Sequence, residues 1–425
     1  MKKLNKVALS TEVVQNSESR MYWTTTTFFW IFSMSMALSW IKIQYLNINV
    51  LNWWSFLGSD KPWLPERVSG APIIGAHYFG DFQLQYFLTQ SINPYYSQFN
   101  VTPPLGLIPN VLFLNLFSLK AATFIYLGLC ILLFMHLIHK IFLYMGYSWK
   151  LYFNFIPLAF CNDPVLSALD RGGFTWLAMI LLCHALLILW YKDPNKKSKR
   201  DHYLSLILLV GAVSLKPYLA SILIALFFTK FRKITLQAGF LTLTCNFLLS
   251  FFFKGPANVL HGLLVSYKFQ TGSADNISWL YSGVSFSGGI AKASEFLFGS
   301  QNSLKFLDVY QHFSFLPGLL WLTIVIVLIR RTLESDPKDT LPIVFLLSLA
   351  QYFSPVSMSY TGIWAVFAIP LVWKSSILNS KAKHTLVGGL IFQLTLEPFY
   401  WWQLVPPFTW LLSTTAILFL IRSRI

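Results

Sequence analysis

The sequence predicts an all-α, polytopic membrane protein with two long loops on one side of the bilayer, and three observations carry that prediction. Hydrophobic residues fill 55% of the 425 positions and charged residues only 11%, where soluble domains carry roughly a quarter. The mean hydropathy is +0.57. Apolar runs recur along the whole chain, and alternate junctions between them are short and basic, which is the signature of positively charged inner loops.

The charge follows the same pattern. Lys and Arg number 32 against 16 Asp and Glu, a net charge of +16. That excess gathers in short connections such as Lys192, Lys196, Lys197, Lys199 and Arg200, or Arg330 and Arg331. Such placement orients a chain against an anionic inner leaflet; it is not a nucleic-acid footprint, so no nucleic-acid partner is expected. Cys130, Cys161, Cys183 and Cys245 fall in apolar stretches without disulfide or metal-ligand spacing and read as buried thiols.

The elements follow in order. Lys2, Lys3, Lys6 and Arg20 precede an apolar run from Met21 to Ile41, too long for a signal-peptide core, which predicts an uncleaved first helix and a cytoplasmic N-terminus. Residues 44–103 then form a first outer loop, with Trp53, Trp54 and Trp63 suited to the headgroup level. The stretch 105–118 is apolar but short for a span, and reads as a re-entrant or interfacial helix. Ala121–Tyr144 returns inward, Leu151–Cys161 goes out, Asp163–Gly173 turns outside, and Phe174–Tyr191 comes back.

Residues 203–229 fit one helix by length, yet both flanks are basic, and Pro217 after Lys216 favours two shorter helices meeting there. Ile234–Phe253 exits to a second outer loop, 254–314. Phe315–Ile329, Leu341–Phe353, Ile363–Trp373, Thr385–Leu396 and Val405–Ile421 complete a single domain of about 10–13 membrane helices, with both termini inside. No internal repeat is evident.

Polar residues that need a reason cluster on the outer side: Asp81, Asp170, Arg171, Lys216, Lys254, His261, Lys268 and Asp275. An ionisable group beside hydrocarbon is costly and marks function or a partner. Sugar transfer from a lipid phosphate requires a carboxylate to take the acceptor proton and cations to offset the departing phosphate. Asp81 suits the first task, Arg171 and Lys216 the second, with Lys254 or Lys268 assisting. Each has a plainer reading: Asp81 as a solvated loop residue, Arg171 as a surface ion pair with Asp170 or Asp163. Lys216 is harder to dismiss, since apolar sequence on both sides leaves only snorkelling or a buried anionic partner as its options.

The aromatic groups Trp53-Trp54 and Tyr400-Trp401-Trp402 read as interface anchors. His139, His184 and His202 lack partners at metal-ligand spacing, so no metal is expected. Asn100-Val101-Thr102 and Asn276-Ile277-Ser278 match the glycosylation acceptor pattern. No glycine-rich nucleotide fingerprint follows a strand, which argues against a nucleotide-sugar donor.

Several short motifs also resemble a known family. Gly80-Asp81-Phe82, Asn93-Pro94-Tyr95-Tyr96 and Thr102-Pro103-Pro104-Leu105 are similar to the first outer loop of the family 87 glycosyltransferases (the DUF2029 group), which includes polyprenol-phosphate-dependent mannosyl- and arabinofuranosyltransferases. Arg171-Gly172-Gly173-Phe174, Leu215-Lys216-Pro217-Tyr218 and Ser354-Pro355-Val356-Ser357 resemble its Arg-Gly, Lys-Pro and Ser-Pro blocks.

The resemblance implies a GT-C fold in the plasma (bacterial inner) membrane and an outward-facing site. It further implies a polyprenyl-phosphate sugar donor, a lipid or glycan acceptor, no other cofactor, and the first-loop aspartate, here Asp81, as base. The tyrosines Tyr95, Tyr96 and Tyr218 would contact substrate. The family often carries a histidine after the Ser-Pro block; here Met358, Ser359, Tyr360 and Thr361 stand there, and Tyr360 either takes that part or leaves it unfilled. Two other readings are a transporter or flippase of lipid-linked saccharides, which would spread ionisable residues through mid-helix positions, and an inactive relative keeping the fold. A structural scaffold for envelope assembly would leave Lys216 unexplained.

Overall fold

A computed structural model describes residues 18–34, 80–91, 93–96, 102–191, 198–272, 294, 297–299, 315–352 and 362–395. Among these residues the structure is helical, without a strand.

The helices are α1 (18–34), α2 (Gly80–Gln90), α3 (Pro104–Leu112), α4 (Leu119–Met145), α5 (Trp149–Phe160) and α6 (Asp163–Arg171). They continue as α7 (Phe174–Tyr191), α8 (Lys199–Leu215), α9 (Ala220–Phe227), α10 (Arg232–Ser250) and α11 (Pro256–Gly272). After a gap come α12 (Phe315–Ser335), α13 (Leu341–Tyr352), α14 (Trp364–Lys374) and α15 (Ser380–Leu394).

Local sequence sets the boundaries. Ser118 and Ser148 cap α4 and α5 by accepting from the amides of Ala121 and Leu151, which satisfies donors the helix cannot use itself. Gly146 ends α4 in the left-handed region at φ 70°. Asn162 caps α6, accepting from the Val165 amide at 3.1 Å, and Gly172 at φ 65° stops it. Ser198 and Asp201 form a reciprocal capping box at the start of α8.

Several expectations are corrected. The first loop, drawn over 44–103, contains α2 and a 3-10 turn at Pro94–Tyr96. The Asp163–Gly173 turn is a helix, α6, and the second loop opens with the 17-residue α11. The question over 203–229 resolves to two helices, because α8 ends at Leu215 and α9 starts at Ala220. Cys161 is exposed, while Cys130 and Cys183 are buried. Trp53, Trp54, Trp63, the Ser354-Pro355 block and the final apolar run 405–421 lie outside the described residues.

Among the described residues three helices are long and apolar enough to cross a membrane: Leu119–Met145, Phe174–Tyr191, and Arg232–Phe253, the last being α10 with its 3-10 extension. Four shorter apolar stretches, Pro104–Leu116, Pro217–Phe227, Leu341–Gln351 and Trp364–Lys374, fall short of the ~30 Å hydrocarbon at ~1.5 Å per residue. The core belongs to α7, α13 and α14. Every residue of α14 from Trp364 to Trp373 is buried, between α13, α15 and α4. By contrast α10 turns Phe240, Leu243 and Phe247 outward, an apolar face compatible with lipid and unfavourable in water.

Polar contacts tie one end together. Asp339, before α13, accepts from the Leu341 amide (2.8 Å), the Ser375 hydroxyl (2.9 Å) and the Ser376 and Ile377 amides (2.6 and 3.2 Å). At the same end Tyr147 donates to the Pro370 carbonyl at 3.1 Å, and Trp373 donates to Thr24 of α1 at 3.0 Å.

Elsewhere the first and second loop regions are clamped together. Asn93 and Asn258 exchange amide hydrogen bonds (3.3 and 2.8 Å). Gly262 of α11 lies so close to Tyr95 that a methyl group there would stand 2.7 Å from the Tyr95 Cβ.

Candidate active site

Asp81 sits half-buried in the first turn of α2, where the helix dipole favours a carboxylate. Its neighbour Phe82 is fully buried and stacks on Tyr126 of α4, with ring centroids 4.8 Å apart and 20° between planes. Tyr126 donates its hydroxyl to the Gly173 carbonyl at 3.2 Å and lies edge-on to Phe174 at 5.7 Å. The start of α2 is thereby pinned to the turn between α6 and α7. A methyl group on Gly173 would come to 3.1 Å from Asp81 Oδ2, so the carboxylate rests on bare backbone.

Lys216 closes α8 in an extended conformation, φ −140° and ψ 97°, its amide still bonded to the Ala212 carbonyl at 3.0 Å. Pro217 cannot continue the ladder, and the chain makes a 3-10 turn, Pro217–Leu219, before α9. The Lys216 ammonium lies within electrostatic range of the Asp81 carboxylate. Lys216 is partly exposed.

The break is braced from α3 and α10. Gly106 of α3 abuts the Ser214 carbonyl so tightly that any side chain would collide. Asn246 of α10 accepts from the Leu105 amide at 2.9 Å and donates to the Ser214 hydroxyl at 3.2 Å.

Three stretches far apart in sequence thus converge: 80–82, the 171–174 turn and 215–218. Arg171 is the last residue of α6, which packs on α2; its side chain lies outside the described residues. Tyr218 follows the break, half-buried against the main core.

The remaining candidates stand elsewhere or outside the description. Tyr95 is buried with Leu107, Phe253 and Val259, and its hydroxyl is committed to the Thr102 carbonyl at 2.8 Å. Burial pushes its phenol above the usual range, so it joins α11 to the first loop region. Tyr96 is 92% exposed. Lys254 is exposed and ends the Phe251–Phe253 turn at φ 64°. The Lys268 side chain and the whole of Tyr360 lie outside the described residues. Among the described residues no three His, Cys, Asp or Glu side chains gather as a metal site.

Sequence reading missed Tyr126 and the bracing pair Gly106 and Asn246. A tyrosine within an apolar helix was the available signal, since a buried phenol needs a hydrogen-bond partner.

No family model matches the chain, and no curated protein or solved structure is similar to it.

Proposed function

We propose that this protein is a membrane glycosyltransferase of GT-C type that moves a sugar from a polyprenyl-phosphate donor to a lipid or glycan acceptor. In this reading about 10–13 helices cross the inner membrane, the basic loops and both termini are cytoplasmic, and the site opens outward. The observation that carries it is the meeting of Asp81 with Lys216 and the Arg171-Gly172-Gly173 turn, since the reaction needs a base and phosphate-binding cations in one concavity.

Asp81 takes the proton from the acceptor hydroxyl as that oxygen attacks the anomeric carbon. The new glycosidic C–O bond forms while the bond from the anomeric carbon to the phosphate oxygen breaks, and polyprenyl phosphate departs as an anion. Lys216 and Arg171 offset its developing charge, and donors already fixed in place make such stabilisation effective. Inversion of the anomeric configuration by direct displacement rests on the family resemblance and on Asp81 as the one well-placed carboxylate in the sequence. The mannose-like or pentose identity of the sugar rests on the family resemblance alone.

The test is transfer in membranes supplied with radiolabelled polyprenyl-phosphate mannose or arabinose. Native protein should label a lipid or glycan, and Asp81→Asn at matched expression should lose about 10²–10⁴-fold, the span of a general base. Equal labelling by the two proteins would remove Asp81 from the chemistry.

A further inference from the structure

Helix α7 is the floor of a groove whose two walls are α4 and α8. Both pack on α7 and barely touch one another. The partly exposed stripe of α7 runs through Leu177, Leu181 and His184, at the i, i+4, i+7 spacing of one helix face. On one side His136 of α4 stacks on His184, with centroids 5.5 Å apart and 12° between planes. On the other, a methyl on Gly211 of α8 would touch Leu181 Cδ1 at 3.3 Å.

The chemistry changes along this groove. The outward face of α4 is apolar at Leu129 and Leu132 and then presents His136, with His139 and Lys140 half-buried below. Lys140 acts electrostatically on both stacked imidazoles. His184 Nδ1 contacts the Ile180 carbonyl at 3.1 Å. Among the described residues neither the His184 Nε2 nor either nitrogen of His136 has a hydrogen-bond partner. His139 stacks on the exposed Trp149 at 4.7 Å, a ring suited to the headgroup level.

Depth makes this placement informative. The 27-residue α4 is ~40 Å long, so it overhangs a ~30 Å hydrocarbon layer by about 5 Å at each end. His136, ~13 Å before Met145, then lies about 8 Å inside the boundary. Polar rings facing lipid at that depth are costly unless a polar group meets them. Among the described residues of α4, α5, α7 and α8 the one acidic side chain is Asp201, and it is engaged with the Ser198 cap.

We propose that this groove binds one anionic phospholipid of the adjacent leaflet. Its phosphate sits on His136 and Lys140, with the His184 ring stacked against His136, and an acyl chain lies along Leu132, Leu177 and Leu181. The His136 N–H and the Lys140 ammonium donate to phosphate oxygens, while the His184 Nδ1–H stays on the Ile180 carbonyl; basic pockets between membrane helices take anionic headgroups in this way. The site is separate from the Asp81 region and stands whether or not that region transfers sugar.

Native mass spectrometry on the full chain in detergent tests it, with phosphatidylglycerol or phosphatidylcholine of the same chain length added. The native protein should retain one phosphatidylglycerol with about tenfold preference, and His136→Ala/His184→Ala should bring the two lipids to near parity. Because that variant removes a stacked pair, Lys140→Gln and His136→Gln/His184→Gln are measured alongside, and each should lower the preference several-fold with an unchanged monodisperse profile. Equal retention of both lipids by the native protein would overturn the proposal. So would an unchanged preference in all three variants, displacement of the lipid by inorganic phosphate, or a lipid-free dimer whose interface involves His136.

Discussion

At the scale of single residues, Asp81 is positioned by how closely it rests on backbone. Gly173 touches the carboxylate, and a methyl there would stand 3.1 Å from Oδ2. Gly173→Ala is therefore expected to displace the carboxylate by a few tenths of an ångström and lower transfer about tenfold or more. Thermal unfolding of the same variant should change little, which separates misplacement from misfolding. Asp81 and Lys216 were legible in the sequence because an ionised group among apolar residues stands out. Tyr126 and Gly106 were not, because their importance lies in a distant carbonyl each approaches: that of Gly173 for one and of Ser214 for the other.

At the scale of elements, the long apolar runs were read well. The helix predicted over Phe174–Tyr191 has those bounds, and the break at Lys216-Pro217 is where basic flanks and a proline placed it. What the sequence concealed were α2, α6 and α11, helices in stretches polar enough to pass for loops. Their stability comes from docking, which hydropathy does not report. The Asn93–Asn258 amide pair is one such dock, and Asn258→Ala should leave Asn93 half-satisfied. We expect a loss of about 1 kcal/mol in the local opening of α11, read as faster limited proteolysis or hydrogen exchange within Pro256–Gly272. Protection equal to native would show that Gly262 and Tyr95 alone hold the helix.

At the scale of the whole molecule, the two ends do different work. One end is locked: Asp339 gathers donors from the connections before α13 and after α14. Hydrogen bonds to a charged group contribute more than neutral ones, so Asp339→Ala should destabilise the protein by about 3 kcal/mol, seen as a lowered unfolding midpoint in detergent. The other region brings the Asp81 turn against the α6–α7 turn and within electrostatic range of Lys216 at the break between α8 and α9. A locked end beside this polar region suits the proposed transfer reaction, in which displacement of a reacting group by an ångström is costly.

In the proposed reaction Asp81 and Lys216 act on one reacting centre. The most direct measurement of this is the transfer rate of native protein, Asp81→Asn, Lys216→Gln and the double variant, from one polyprenyl-phosphate sugar. Shared action predicts that each single change loses about 10²-fold or more and that the double variant is scarcely worse than the weaker single, since groups acting as a unit are strongly non-additive. Independent, multiplicative losses, or an Asp81→Asn protein as active as native, would contradict it.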